Sequence, residues 1–237
     1  VILPHGGPHS SFTGDYYQTV ALFAKIGLKT LLINYRGSIG VNEEYLKTLC
    51  GNVGDMDIRD VMYCIQHQIQ EGEIDMKNIV LCSGSHGGFI VTHLCGQFPD
   101  FGFKACVARN PVVDIAGMIE VTDIPDWCFT EVNGSDYKFG HFGNVESLIT
   151  SFNKSPMRCV NNVKTPTMLM LGKNDRRVPM TQGIKYYKAL KTRGVDVKCH
   201  IYDDKHDLQK VNVDADAFVN IALWFYKYID EQYKTVF

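Results

Sequence analysis

What the sequence lacks narrows the possibilities first. None of its 237 residues fall in an apolar run of the about 20 residues needed to span a bilayer, so no membrane partner is expected. Neither charge sign dominates: 24 Lys and Arg stand against 26 Asp and Glu, interspersed, for a net charge of −2. That excludes the basic footprint a nucleic-acid partner would require. There is no internal repeat, low-complexity tract or linker, and no signal-peptide pattern. Eight cysteines are present, but no C-x-x-C pair, and the cysteines and histidines lack metal-ligand spacing. The expectation is therefore buried free thiols, a reducing cytoplasmic setting, no metal and no cofactor.

What is present suits one large α/β domain over residues 1–237, with 45% hydrophobic and 21% charged residues. Val1–Pro4 reads as the end of a strand, followed at once by His5-Gly6-Gly7-Pro8-His9. Helical periodicity over Tyr16–Ile26 closes at Gly27, and Lys29–Tyr35 is rich in β-branched and apolar residues. Asp55–Gln70 places Ile58, Val61, Met62, Ile65 and Ile69 on one helical face. Strands are expected at Ile79–Cys82, Ala105–Pro111, Thr167–Gly172 and Asp196–Tyr202. Helices are expected at Phe89–Gln97, Thr181–Thr192 (capped by Gly194) and Ala215–Tyr233. Residues 114–160 show no sustained period and read as an irregular insert shaping a pocket. The alternation predicts a mostly parallel, doubly wound sheet with helices on both faces.

The chemistry gathers at the strand exits, where open α/β sheets place their sites. Ser83-Gly84-Ser85-His86-Gly87 is a G-x-S-x-G nucleophile elbow whose first Gly is Ser, a strained strand-to-helix turn that lifts one hydroxyl into the open. Asp175 closes the strand Thr167–Gly172, and His206 closes Asp196–Tyr202. The order Ser85, Asp175, His206 is that of the α/β-hydrolase triad: nucleophile, orienting carboxylate and general base. The backbone N–H groups of His86 and of Gly6 or Gly7 are the expected oxyanion donors. His5 and His9 offer themselves as ligands but read better as loop residues shaping the cleft, Trp127 reads as a pocket or core residue, and Asp203, Asp204 and Asp207 as solvated neighbours of His206.

Several stretches then resemble the prolyl oligopeptidase family of serine peptidases. They are His5–Ser10, Asn34–Ser38, Gly51–Asp55, Gly84–Phe89, Ala108–Pro111 and Asp175–Pro179. Thr122–Cys128, Ser85–Gly88 and Arg176–Met180 are similar to its acylaminoacyl-peptidase branch rather than to dipeptidyl peptidases. The resemblance runs nearly end to end. It implies an α/β-hydrolase fold and removal of an N-acylated, usually acetylated, residue from short blocked peptides. By position it implies Ser85, Asp175 and His206 as the triad and Arg177, with Arg176 as alternative, as the residue holding a substrate carbonyl. It also implies that the chain lacks the first strands and an N-terminal β-propeller, and that the full-length protein forms homo-oligomers. Ser83 in place of the family's elbow Gly is the local departure. A carboxylesterase with the same machinery, or a catalytically silent module, are the competing expectations.

Overall fold

The computed structural model describes residues 1–134 and 144–229. Its elements in chain order are β1 (Ile2–Pro4), α1 (Gln18–Lys25), β2 (Leu31–Ile33), α2 (Glu43–Lys47), α3 (Met56–Gln70), β3 (Val80–Gly84), α4 (His86–Gln97) and β4 (Ala105–Arg109). There follow α5 (Ile115–Met118), α6 (Pro125–Asn133), α7 (Val145–Asn153), β5 (Thr167–Gly172), α8 (Thr181–Thr192), β6 (Val197–Tyr202) and α9 (Val211–Tyr228). Short 3-10 turns occupy Met76–Asn78 and Pro156–Asn162.

The strands form one parallel sheet in the order β2-β1-β3-β4-β5-β6. Because side chains alternate across a strand, the sheet feeds two cores. Leu81, Cys106, Ala108, Leu169 and Leu171 pack on one side with α3, α4 and α8. Val80, Cys82, Ala105, Val107, Met168 and Met170 pack on the other with α1 and α9. Burial on both faces explains why these strands read as continuous apolar runs. The C-terminal stripe behaves as expected: Ile221, Ala222, Phe225 and Ile229 are buried. The expected end of that helix, 230–233, lies outside the described residues.

Two readings are corrected. The 114–160 stretch is largely helical where it is described, because α5 and α7 start on side-chain caps. Asp114 accepts from Gly117 N–H, and Asn144 accepts from Ser147 N–H. Helices this short bury only a turn or two, so no long period reaches the sequence. Asp204 is buried rather than solvated. Its carboxylate accepts from the N–H groups of Lys205 (2.8 Å) and Lys210 (2.9 Å), folding the loop after β6.

The sheet order reverses between β1 and β3, and these two strands pair only at Ile2↔Leu81. Their carboxyl ends therefore diverge into a crevice, the topological switch point where such sheets bind ligands. All eight cysteines are free. Among the described residues, no helix is long and apolar enough to cross a membrane.

Candidate active site

Ser85 sits at the crevice with φ 58° and ψ −125°, in the region non-glycine residues avoid. The turn is held on both sides: Ser85 N–H donates to the Arg109 carbonyl (2.9 Å), and its own carbonyl accepts from Phe89 N–H (3.0 Å). Close packing explains the small residues. A Cβ on Gly87 would lie 1.9 Å from Ser83 Oγ and 2.6 Å from the Pro4 carbonyl oxygen. Ser83 fits because its hydroxyl donates to that Pro4 oxygen at 2.5 Å, joining β3 to β1 where their ladder has opened.

His206 and Asp175 meet as the order of the motifs predicts. His206 Nδ1 donates to Asp175 Oδ2 at 2.6 Å, and the buried carboxylate's other oxygen accepts from the N–H groups of Arg177 (2.8 Å) and Val178 (2.9 Å). An acceptor on Nδ1 fixes the tautomer, leaving Nε2 as the basic nitrogen facing the crevice. The loop carrying His206 is tied down through its backbone. Asn110 Nδ2 donates to the His206 carbonyl, and Arg109 donates to those of Asp207 and Leu208. Ser85 and His206 line the same two crevices, although no hydrogen bond joins the hydroxyl to the ring.

The Gly6-Gly7 loop passes directly over Ser85, since a Cβ on Gly6 would stand 3.4 Å from Ser85 Cβ. His5 orients it. The ring is buried and stacked on Tyr35 (4.4 Å), and burial lowers its pKa to about 4. The neutral ring donates from Nδ1 to the Gly6 carbonyl (2.7 Å), and its Nε2 lies 2.6 Å from Ser38 Oγ, whose hydroxyl donates to the Tyr35 carbonyl (2.6 Å). A trans peptide carries its C=O and N–H on opposite sides, so this contact turns Gly7 N–H away from the ring. The side chain of His86 points the other way. Its Nε2 donates to Asp57 Oδ2 (2.9 Å), and both groups are buried. Asp57 Oδ1 meanwhile accepts from Gly54 N–H (2.8 Å). The roles of Asp57 and Asn110 are what sequence reasoning missed, Asn110 entering it only within the family-like stretch Ala108–Pro111. Only a charged residue opening the apolar face of α3 hinted at the first.

The two crevices flank Ser85. One, about 290 Å³, is lined by Val112, Met118, Ile124, Trp127 and Arg177. The other, about 480 Å³, is lined by Phe12, Tyr17, Arg109 and Gln209. Trp127 serves both readings made of it, half-buried against the core and edge-on to His86 at 5.8 Å. Arg177 Nε pairs with Asp123 Oδ1 at 2.7 Å on the rim, and that pairing raises its pKa. Arg176 is exposed and contributes a carbonyl to Asp123 N–H rather than a wall of either crevice.

Comparison with known proteins places this geometry. The mouse acylamino-acid-releasing enzyme is 44% identical over 97% of this chain and 31% of its own length. The human one is 46% identical over 94% of this chain and 30% of its own. The chain thus spans about 30% of these relatives. Among solved structures, the acylaminoacyl peptidase of Pyrococcus horikoshii superposes with a TM-score of 0.86 at 22% identity, covering 97% of this chain and 37% of that one. A puromycin-hydrolyzing peptidase of Mycobacterium tuberculosis gives 0.87 at 21%, covering 96% and 34%. These likenesses show the α/β-hydrolase fold. The prolyl oligopeptidase family model matches residues 15–232, nearly the whole chain, and the chain belongs to that family.

Proposed function

We propose that residues 1–237 form the catalytic domain of a serine exopeptidase that releases an N-acylated amino acid from short blocked peptides. The observation that carries this reading is the contact of His206 Nδ1 with Asp175 Oδ2, on a ring that shares both crevices with the strained Ser85. His206 Nε2 takes the Ser85 proton as Oγ attacks the scissile carbonyl, and returns it to the leaving amine. Asp175 holds the tautomer and stabilises the imidazolium. The oxyanion accepts from the N–H groups of His86 and Gly7, with Gly6 supplying the close approach. The acylated residue occupies the crevice beside Trp127, where Arg177 meets an acyl or peptide carbonyl. Arg176 is the outer alternative, and the leaving peptide runs over Phe12 and Tyr17. A cytoplasmic setting and a homo-oligomeric full-length protein belong to the same reading.

The test compares the wild-type protein with Ser85→Ala on an acetyl-alanyl chromogenic amide and on short acyl esters. We expect a loss of roughly 10⁶-fold in kcat, as when a triad nucleophile is removed from subtilisin. Equal rates in the two proteins would sink the proposal. A kcat/KM higher on acyl esters than on every acyl-peptide would move the assignment to a carboxylesterase.

A further inference from the structure

Beyond the crevice, three segments meet at a second cluster of reactive side chains. His9 comes from the loop after β1, Cys50 from the turn before α3, and Glu131 from α6. One ligand atom from each lies within 4.8 Å of the others. His9 is already oriented as a ligand: Nδ1 donates to the Gly37 carbonyl (2.8 Å), which aims Nε2 at Glu131 Oε1 (2.8 Å). Glu131 is 3% exposed, and its second oxygen, Oε2, is buried without a hydrogen-bond partner. A buried, unsatisfied carboxylate oxygen is costly and asks for a partner.

We propose that His9, Cys50 and Glu131 form a site for one zinc-class divalent cation, with water in the fourth position. Imidazole nitrogen, thiolate sulfur and carboxylate oxygen are the three donor types zinc accepts, and three protein ligands leave one position open. Bonds of about 2.0–2.3 Å bring tetrahedral ligand atoms to roughly 3.5 Å apart, so rotation of Cys50 closes the set. The His9–Gly37 contact is the carbonyl support that ligating histidines require. The frame is built without the ion. Gly51 N–H donates to the Glu131 carbonyl (2.9 Å), and Lys154 Nζ donates to the Gly51 and Val132 carbonyls.

The exchange balances. Without metal, a proton lies between His9 and Glu131, and Cys50 keeps its thiol proton. The cation displaces both, so two protons leave per ion bound. Lys47 and Lys154 are the nearby cations, Glu131 the nearby anion. The ion would clamp the Gly6-Gly7 loop to α6, which carries Trp127. The three ligands are so far apart in sequence that no spacing rule detects them. The site is independent of the proposed catalytic activity.

Metal-free protein titrated with Cd²⁺ tests this through the ultraviolet thiolate-to-cadmium absorption band. The expected result is one equivalent bound, two protons released and a raised Tm. Cys50→Ser should abolish the band. Glu131→Gln and His9→Gln should each weaken binding at least about tenfold. Cys159→Ser removes the rival thiol, whose Sγ lies 4.0 Å from His93 Nδ1, and should change nothing. A band that survives Cys50→Ser, disappears in Cys159→Ser, or never forms at stoichiometric cadmium overturns the assignment.

Discussion

Asn110 holds His206 by its main chain: Nδ2 donates to the His206 carbonyl at 2.6 Å, while Oδ1 accepts from Gly172 N–H at 2.7 Å. One buried carboxamide thus couples the end of β5, just before Asp175, to the base. It does so from φ 40°, a conformation Asn tolerates better than most residues. Asn110→Ala should cost about 1–3 kcal/mol through the orphaned Gly172 N–H. It should also lower kcat with little change in KM, because the ring and not the substrate pocket loses its anchor. Asn110→Asp keeps the acceptor for Gly172 but sets an oxygen against the His206 carbonyl, so it should restore part of the stability and little of the kcat. Thermal melts and steady-state kinetics on the same preparations separate the two effects.

Asp57 stands behind the elbow and governs His86, whose N–H is a proposed oxyanion donor. In Asp57→Asn, either an amide N–H faces His86 Nε2–H, or the ring changes tautomer and buries an N–H at Nδ1, which has no partner now. Both routes cost about 1–3 kcal/mol. Loss of a whole oxyanion donor costs about 2.7–4 kcal/mol of transition-state stabilisation. A displaced one should lower kcat by about tenfold, leaving KM near its original value. An unchanged kcat beside a lowered Tm would mean that the pair only supports the fold.

Burial holds His5 and His93 at pKa values of about 4, both lowered from 6.5. Between those limits the unfolded chain binds more protons than the folded one, so stability falls as pH drops from 6.5 to 4 and is flat with respect to these groups above 6.5. His9 has the opposite sign: its bond to Glu131 raises its pKa. That contribution is complete below 6.5 and fades as pH rises through the raised value. His93→Gln should therefore flatten the acid limb of a Tm-against-pH curve. His9→Gln should cost more at pH 6 than at pH 9.

Ser83 substitutes a side-chain bond for a missing rung between β1 and β3. Ser83→Gly should remove about 1 kcal/mol while leaving kcat within a few-fold, since Ser85 keeps its own turn contacts. Gly87→Ala, by contrast, drives a methyl into Ser83 Oγ and the Pro4 carbonyl and should abolish folding or activity. Chemical denaturation of both variants, followed by activity of the folded fraction, distinguishes the outcomes.

Much of this was legible in the chain, and what was not has identifiable causes. Thr167–Gly172 and Thr181–Thr192 were read to the residue because a strand buried on both faces and a long helix each carry an unmixed pattern. Short capped helices such as α5 and α7 do not, and so the insert read as irregular. The meeting of His206 with Asp175 followed from strand-exit order alone. Asp57 and Asn110 did not, because each acts through a partner in another element, 29 and 96 positions away in sequence. Asp204 is hidden for a different reason, since its partners are close in sequence: a loop aspartate looks solvated until the turn brings the Lys205 and Lys210 N–H groups onto it.

The tethers that Asn110 and Arg109 place on the loop after β6 grip carbonyl oxygens, those of His206, Asp207 and Leu208. A backbone acceptor is present whatever side chain its residue carries. Asp207 and Gln209, which line the crevices, can therefore be exchanged without loosening the imidazole of His206. Variation at these two positions offers a route by which selection, or a directed library, could change the substrate while the base stays in register.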